Sequence, residues 1–293
     1  MNTETMDTSA ESAFAVLTRN RRTTGISLVL SSLLFLYLIS TYGWRQGALF
    51  LVGLAAGVIL YHAAFGFTAA WRDVVNTGRG AGLRAQMVML AVTVLVFTPL
   101  IAQGEFAGIN LRGSVAPLNV AVVCGAFMFG IGMQLGGGCA SGTLFTAGAG
   151  NVRMLITLAA FVAGSLLGTW QWSLWQGVPG FAPFSLAENF GVIGGIGISL
   201  LLFTLVWVAA ARYEKHRHGS LLDDPKNNSP YTFLRGPWPL IAGALALAAV
   251  NVATLLLAGR PWGVTSAFAL WGGKLAVIMG IDVTSWAYWQ RPG

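Results

Sequence analysis

Charged residues are scarce in this 293-residue chain, since Asp, Glu, Lys and Arg together make up 9% of it, whereas soluble proteins carry about 25%. Apolar residues make up 55%, which leaves too little polar surface to cover a water-soluble core. Several apolar stretches reach the length of about 20 residues that crosses a bilayer. The strict two-residue alternation of a membrane barrel is missing. The composition therefore predicts a polytopic, all-α transmembrane helical bundle.

Residues that commonly carry catalysis are also few, with two cysteines and three histidines. Two cysteines make no disulfide framework, and on one helix Cys124 and Cys139 would lie about 22 Å apart, too far to bridge. Within the apolar stretches no histidine pair has zinc or haem spacing, and the chain has no G-x-x-x-x-G-K-[ST] sequence for nucleotide phosphates. We therefore expect no catalytic residues, no metal, no cofactor and no enzymatic activity.

The net charge of +7 comes from basic residues in short loops beside apolar stretches, which is typical of membrane topology rather than of nucleic-acid binding. We expect a polar cytoplasmic tail at 1–24 and a transmembrane domain at 25–293. The predicted spans are 25–42, 48–70, 86–102, 118–135, 152–175, 188–211, 238–258 and 263–281. With the N-terminus in the cytoplasm, the cytoplasmic side holds twelve Lys and Arg residues and the other side holds three. This bias supports a multi-pass protein with a cytoplasmic N-terminus.

A weak internal repeat joins two distant parts of the chain. GALFL at Gly47–Leu51 resembles GALAL at Gly243–Leu247, and GFTAAW at Gly66–Trp71 resembles GVTSAF at Gly263–Phe268. An odd number of spans lies between the copies, so the second copy is inverted, as in many transporters. We place the first repeat at about 47–175 and the second from about 238, incomplete at 293. Chance similarity in apolar sequence is the alternative.

The segment GMQLGGGCASGT, at Gly132–Thr143, concentrates glycine inside an apolar stretch. Glycine costs roughly 1 kcal/mol against alanine at each position inside a helix, so the cluster predicts a broken helix. A half-helix that starts after the break directs free N–H groups and positive dipole at an anion. We expect Gly137, Gly138 and Gly142 to form the break, Cys139 to contact a sulfur-containing anion, and Ser141 and Thr143 to donate hydroxyl hydrogen bonds. Close helix packing by small residues, with a buried thiol, is the alternative.

Three segments resemble one family. LGGGCASGTLFTAGAGN, around Cys139, resembles the central motif of the YeeE/YedE sulfur-transport family. FGFTAAWRDVVN resembles the first-repeat motif of that family, and GRPWGVTSAFALWGGK resembles its second-repeat segment. The resemblance extends from about Gly47 to Lys274 and implies an inner-membrane importer of thiosulfate or a related anion. It further implies that cysteines in a central path contact the anion by S–H groups without covalent bonds.

The resemblance also implies substrate-binding positions at Gly66 and Thr68 and at Gly263 and Thr265. The sequence departs from the family pattern at Gly66, where thiosulfate importers have a cysteine, and the second-repeat cysteine would lie beyond the last residue. The expected function is a transporter or facilitator for a sulfur-containing anion, with thiosulfate as first choice. The alternatives are a membrane subunit that relays sulfur or redox equivalents to a cytoplasmic sulfur-carrier protein, and a non-functional half.

Other polar residues in the apolar stretches have two interpretations each. His62 faces a pore or is a buried, hydrogen-bonded imidazole. Arg72 and Asp73 form an interfacial ion pair or order the mouth of a half-helix. Lys274 reaches the membrane surface along its own chain or lies as a buried cation on the anion path. We expect Cys124 to have a packing role.

Overall fold

The structure is a computed structural model that describes residues 21–222, 224 and 236–291. These residues form the helices α1 (Arg21–Tyr42), α2 (Trp44–Ala63), α3 (Phe67–Thr77), α4 (Ala81–Gln103), α5 (Val120–Leu135), α6 (Ala140–Gly148), α7 (Val152–Trp170), α8 (Leu186–His218), α9 (Leu240–Ala258) and α10 (Val264–Ile278). A 3₁₀ helix at Gln171–Trp175 follows α7. Most of the predicted 1–24 tail lies outside the described residues. The all-α class is confirmed.

Short strands connect some of the helices. Strands β1 (Glu105–Phe106) and β2 (Ile109–Asn110) form an antiparallel hairpin after α4. Strand β3 (Leu118–Asn119) precedes α5 and pairs with β4 (Gly180–Phe181), which precedes α8. Asn119 also accepts a hydrogen bond from the Val122 N–H and so caps the start of α5.

Seven helical segments of the described chain are long and apolar enough to cross a membrane. Each overlaps one of the first seven predicted spans, and the segments at Val120–Gly148 and Leu240–Ala258 begin two residues after the predicted starts. A multi-pass membrane protein is thus confirmed. The eighth predicted span, 263–281, is the 15-residue helix α10. At 1.5 Å per residue α10 is about 22 Å long, which is shorter than the hydrocarbon core of about 30 Å. It is therefore shorter than a full transmembrane span.

The chain divides into two compact units, 1–53 and 54–293. The described part of the first unit consists of α1 and the beginning of α2. These two helices approach closely at Gly47, where a Cβ atom would overlap the Ile39 side chain. All features described below belong to the second unit.

Helix α4 buries five residues, namely Leu83, Ala85, Gln86, Met87 and Met89, and it packs against α8 and α9. Leu83 and Met87 of α4 form a buried cluster with Ala210 of α8. Beside this cluster, the fully buried carboxylate of Glu214 in α8 forms an ion pair with Arg84 in α4. A second contact joins α7 to α10, where a Cβ at Gly272 would stand 2.9 Å from the Leu166 Cβ atom.

Three interruptions of the helical path in the described chain, at 64–66, 136–139 and 259–263, are of one kind. Each interruption is followed by a short helix, namely α3, α6 and α10. The prediction of glycine-broken half-helices is thus confirmed. The two segments of the weak repeat, α2–α3 and α9–α10, share the same form of long helix, break and short helix. Their inverted orientation and the repeat boundaries stay predictions.

Candidate functional site

The glycine cluster breaks the chain where the sequence predicts it. Helix α5 ends at Leu135, and α6 begins at Ala140. Gly137 has a φ of +78°, a left-handed conformation that costs other residues roughly 1–2 kcal/mol. At Gly138 a Cβ would stand 3.2 Å from the Thr143 backbone nitrogen, so the chain folds tightly onto the first turn of α6. Glycine is therefore required at this break by conformation and by close approach.

Cys139 is the residue immediately before α6, and its thiol is half-buried. Its Sγ atom lies 3.5 Å from the Ser141 Oγ atom, within sulfur hydrogen-bonding distance. A Cβ at Gly142 would stand 3.4 Å from the same Sγ atom, so the thiol rests against the bare backbone of the first turn. The thiol and the Ser141 hydroxyl form one polar patch at the start of α6.

Thr143 occupies a different environment from Ser141. Its side chain is fully buried, and its Oγ1 atom has no hydrogen-bond partner among the described residues. The Oγ1 atom lies 3.3 Å from the position of a Cβ at Gly138. Thr143 is therefore buried against the backbone of the break, whereas Ser141 is not fully buried.

A cavity of about 290 Å³ lies where the three short helices begin, and we call it the junction cavity. Phe67 of α3, Ser141 of α6 and Val264 of α10 each contribute to its wall. The rest of the wall consists of Leu60, Phe65, Met89, Leu90, Thr93, Leu247, Asn251 and Trp262. The starts of all three short helices thus meet at one mainly apolar cavity.

The three helix starts also share a polar feature. The residues that precede them, Gly66, Cys139 and Gly263, make no side-chain hydrogen bond to the helix. The first N–H groups of a helix have no partner within the helix, and they carry partial positive charge from the helix dipole. Three helix starts without side-chain caps at one cavity form an arrangement suited to an anion.

A second cavity of about 210 Å³, the charged cavity, lies beside the first. Asp73, Arg79 and Asp224 contribute to its wall. In the same wall the buried Gln86 side chain donates a hydrogen bond from Nε2 to the Gly66 carbonyl oxygen, at 3.5 Å. Among the described residues Phe65, which is 3% exposed, is the one that lines both cavities. The Phe65 ring therefore stands between them.

The residues implied by the two repeat motifs differ in their burial and in whether they line a cavity. Gly66 precedes α3 and lines the charged cavity. Thr68, on the first turn of α3, is buried, and its Oγ1 atom has no partner among the described residues. Gly263 precedes α10, and both it and Thr265 are exposed. Thr68 and Thr265 therefore lie outside the wall of the junction cavity.

The other polar residues are placed as follows. His62 stacks on Trp238 with ring centroids 5.8 Å apart and lines neither cavity. The Arg72 Nε atom donates to the Gln134 side chain at 3.4 Å, and no ion pair joins Arg72 to Asp73 in the described chain. Cys124 is exposed on α5, contrary to the expected packing role.

Sequence reasoning missed several residues of the cavity walls. Gln86 and Asn251 are polar residues inside apolar helices, a feature that marks functional positions in membrane proteins and was a usable signal. Phe65 carries no such signal, because one more aromatic residue in an apolar stretch is ordinary. Its position between the cavities follows from the tertiary structure alone.

Broken helices that begin around one cavity are typical of membrane transporters. The sequence profile of the family described as sulphur transport matches residues 62–291, a range that contains all three breaks. The chain therefore belongs to the sulphur transport family, the YeeE/YedE family.

Curated relatives match different shares of the chain. The thiosulfate transporter TsuA of Spirochaeta thermophila is 29% identical over 253 residues, which are 82% of this chain and 71% of that protein. The probable transporter YedE of Escherichia coli is 27% identical over 179 residues, or 58% of this chain and 42% of that protein. The thiosulfate transporter TsuA of Escherichia coli is 25% identical over 167 residues, or 56% of this chain and 46% of that protein. The chain thus spans less than half the length of the two Escherichia coli relatives.

Proposed function

We propose that this protein transports a sulfur-containing oxyanion, thiosulfate, across the bacterial inner membrane by way of the junction cavity. The observation that carries the proposal is the meeting of three helix starts without side-chain caps at one cavity, with the Cys139 thiol beside Ser141, the residue of α6 that lines this cavity. Membership of the sulphur transport family and relatives named as thiosulfate transporters support the choice of anion.

The chemistry of the site suits an oxyanion with a terminal sulfur. An anion that leaves water must find hydrogen-bond donors, because an unpaired buried charge is very costly. The free N–H groups at the helix starts supply donors and partial positive charge without a fixed cation. The Ser141 hydroxyl adds a donor, and the polarisable Cys139 sulfur with its S–H group contacts the terminal sulfur of the anion. Dipoles hold the anion loosely enough for it to leave again.

The two cavities define a route. The anion occupies the junction cavity, passes the Phe65 ring and enters the charged cavity, where Arg79 receives it. We assign Phe65 as the barrier on this route, because it lines both cavities and is buried. A buried aromatic ring at a constriction also excludes water, which is how hydrophobic gates block ions.

The proposed topology places the N-terminus in the cytoplasm. The Lys and Arg residues beside the spans then concentrate on the cytoplasmic side, in agreement with the positive-inside bias. The charged cavity includes Arg79 and Asp224, which flank segments assigned to that side. In this orientation transport from the junction cavity to the charged cavity is import.

The test is uptake of radiolabelled thiosulfate by cells that lack other thiosulfate importers. We expect Cys139→Ser to lower uptake about tenfold, the effect of losing one good contact to an anion, with membrane abundance unchanged. Cys124→Ser is the matched control, since the same atom is changed at an exposed position, and it should transport normally. Full uptake by Cys139→Ser would exclude a role of the thiol, and absence of uptake by the unaltered protein would refute thiosulfate transport.

The alternative of a sulfur relay to a cytoplasmic carrier protein requires a reactive thiolate. In the described chain the polar neighbour of the Cys139 sulfur is the neutral Ser141 hydroxyl rather than a base. We therefore favour non-covalent conduction. Intact-mass measurement separates the two functions, because a relay predicts a Cys139-dependent gain of one sulfur atom on the native protein and conduction predicts no gain.

A further inference from the structure

A third cavity, of about 490 Å³, lies between α10 and the segment that follows it. It shares no wall residue with the junction cavity or the charged cavity. Its wall consists of Leu270, Gly273, Lys274, Val277, Ile278, Val283, Thr284 and Trp289. Most of these residues are apolar. The few polar side chains in the wall therefore determine which polar group of a ligand can bind. We call it the Lys274 cavity.

The Lys274 ammonium is the charged group of this wall. Among the described residues no carboxylate lies within ion-pair distance of it. The nearby Asp282 carboxylate instead accepts hydrogen bonds from the Thr284 hydroxyl, at 2.6 Å, and from the Thr284 N–H, at 3.0 Å. These hydrogen bonds lower the pKa of Asp282. Lys274 therefore stands on an apolar helix without a protein counter-ion in the described chain.

Trp289 supplies a second donor beside the exposed Lys274. Its indole lies against the bare backbone of α10, because a Cβ at Gly273 would stand 3.0 Å from the Trp289 Cζ2 atom. The Nε1 atom is buried and has no hydrogen-bond partner among the described residues. An indole N–H only donates, and a buried donor without an acceptor is costly. The cavity thus combines a cation and a buried donor with an apolar wall.

These properties select an amphiphilic anion. A small hydrated anion would satisfy Lys274 and Trp289 but would leave the apolar wall against water. A neutral lipid would cover the wall but would leave the lysine charge uncompensated, which is costly within a membrane. A lipid with a phosphate headgroup and net negative charge satisfies both requirements, and basic cavities between membrane helices bind such headgroups.

We propose that the Lys274 cavity binds an anionic phospholipid, with its phosphate at the Lys274 ammonium and the Trp289 N–H and one acyl chain along Leu270, Val277 and Ile278. These three apolar side chains are exposed along α10, so the site opens to the bilayer. The proposal is independent of the transported substrate.

The experiment is native mass spectrometry of the purified protein in mild detergent with equal amounts of phosphatidylglycerol and phosphatidylcholine. We expect the unaltered protein to retain phosphatidylglycerol about fivefold better, since one Lys near an anionic lipid surface is worth about that factor. Lys274→Arg should keep the preference. Lys274→Gln should remove most of it, and Trp289→Phe, which removes the N–H but keeps a ring, should weaken it.

The matched control is Arg112→Gln, which removes one exposed positive charge away from the cavity and should leave the preference unchanged. Equal retention of the two lipids by the unaltered protein would overturn the proposal, and this measurement does not depend on any variant folding. An undiminished preference in Lys274→Gln would also overturn it. Displacement of phosphatidylglycerol by inorganic phosphate would show a site for a free anion instead.

Discussion

Helices α4 and α5 are both apolar and both belong to the first half of the second unit, but only α4 is packed inside the protein. Helix α4 buries residues such as Leu83 and Met87, whereas α5 has no buried residue. Phe127 and Leu135 of α5 are 71% and 84% exposed. Lipid tails are as apolar as leucine, so apolar character does not separate a protein interior from a lipid-facing surface.

The difference also separates two roles. Helix α4 lies in the packed scaffold with α8 and α9, and α5 leads into the break at Cys139. Changes in the scaffold should mainly lower the stability of the protein, and changes at the break should lower uptake per molecule of folded protein. Four pairs of variants test this separation, and they follow from the largest expected effect to the smallest.

The largest effect is expected for Glu214→Ala, which leaves Arg84 without its partner in the α4–α8 contact. Removal of one member of a buried ion pair costs about 3–5 kcal/mol, so membrane abundance and thermal stability should fall sharply. The control is Glu105→Ala, an exposed acidic residue of β1, which should change stability by less than about 0.5 kcal/mol. Equal stability of the two variants would contradict the assignment of α4 and α8 to the scaffold.

A second pair compares the same truncation on the two helices. Met87→Ala removes a side chain from the buried cluster with Ala210 and should cost about 2 kcal/mol in unfolding free energy. Met128→Ala changes a residue of α5 that is 64% exposed and should have little effect. Denaturation in detergent measures both. A larger loss of unfolding free energy for Met128→Ala than for Met87→Ala would show that a protein surface, rather than lipid, covers that face of α5.

A third pair compares glycines of the α5 segment. Gly137→Ala places a Cβ on a residue with a φ of +78° and 3.0 Å from the Met154 Cε atom, at a cost of roughly 1–2 kcal/mol. Gly132→Ala lies in regular helix with open space around the new Cβ and should stabilise the protein by about 0.5–1 kcal/mol. Uptake should fall in Gly137→Ala and persist in Gly132→Ala. The same sign of stability change in both variants would be evidence against a broken helix.

The smallest effect is expected for the matching threonines of the two repeat segments. Thr68→Val removes a buried hydroxyl that has no partner among the described residues and should raise stability by up to about 1 kcal/mol. Thr265→Val changes an exposed residue and should be neutral. If the Thr68 hydroxyl contacts the anion in another conformation, uptake will fall although stability rises. Normal uptake in both variants would exclude these hydroxyls from the route.

The break around Cys139 was predictable because glycine acts locally on the backbone. Gly137 and Gly138 disfavour a helix through conformational freedom, and no distant contact is needed for that effect. The roles of Ser141 and Thr143 were predicted to be equal, yet Ser141 lines the junction cavity and Thr143 is fully buried. They lie two positions apart on α6, and the neighbouring chain decides which of them faces the cavity.

The sequence by itself determined a membrane protein with helices broken at glycine clusters, because apolar length and backbone freedom depend on neighbouring residues along the chain. Only the tertiary structure decided that three short helices begin at one cavity, that Phe65 stands between two cavities, and that α4 is buried while α5 is exposed. These relations join residues far apart in the chain. Within the bilayer, contacts between helices depend on side-chain packing rather than on hydrophobicity. These contacts therefore cannot be predicted from the composition.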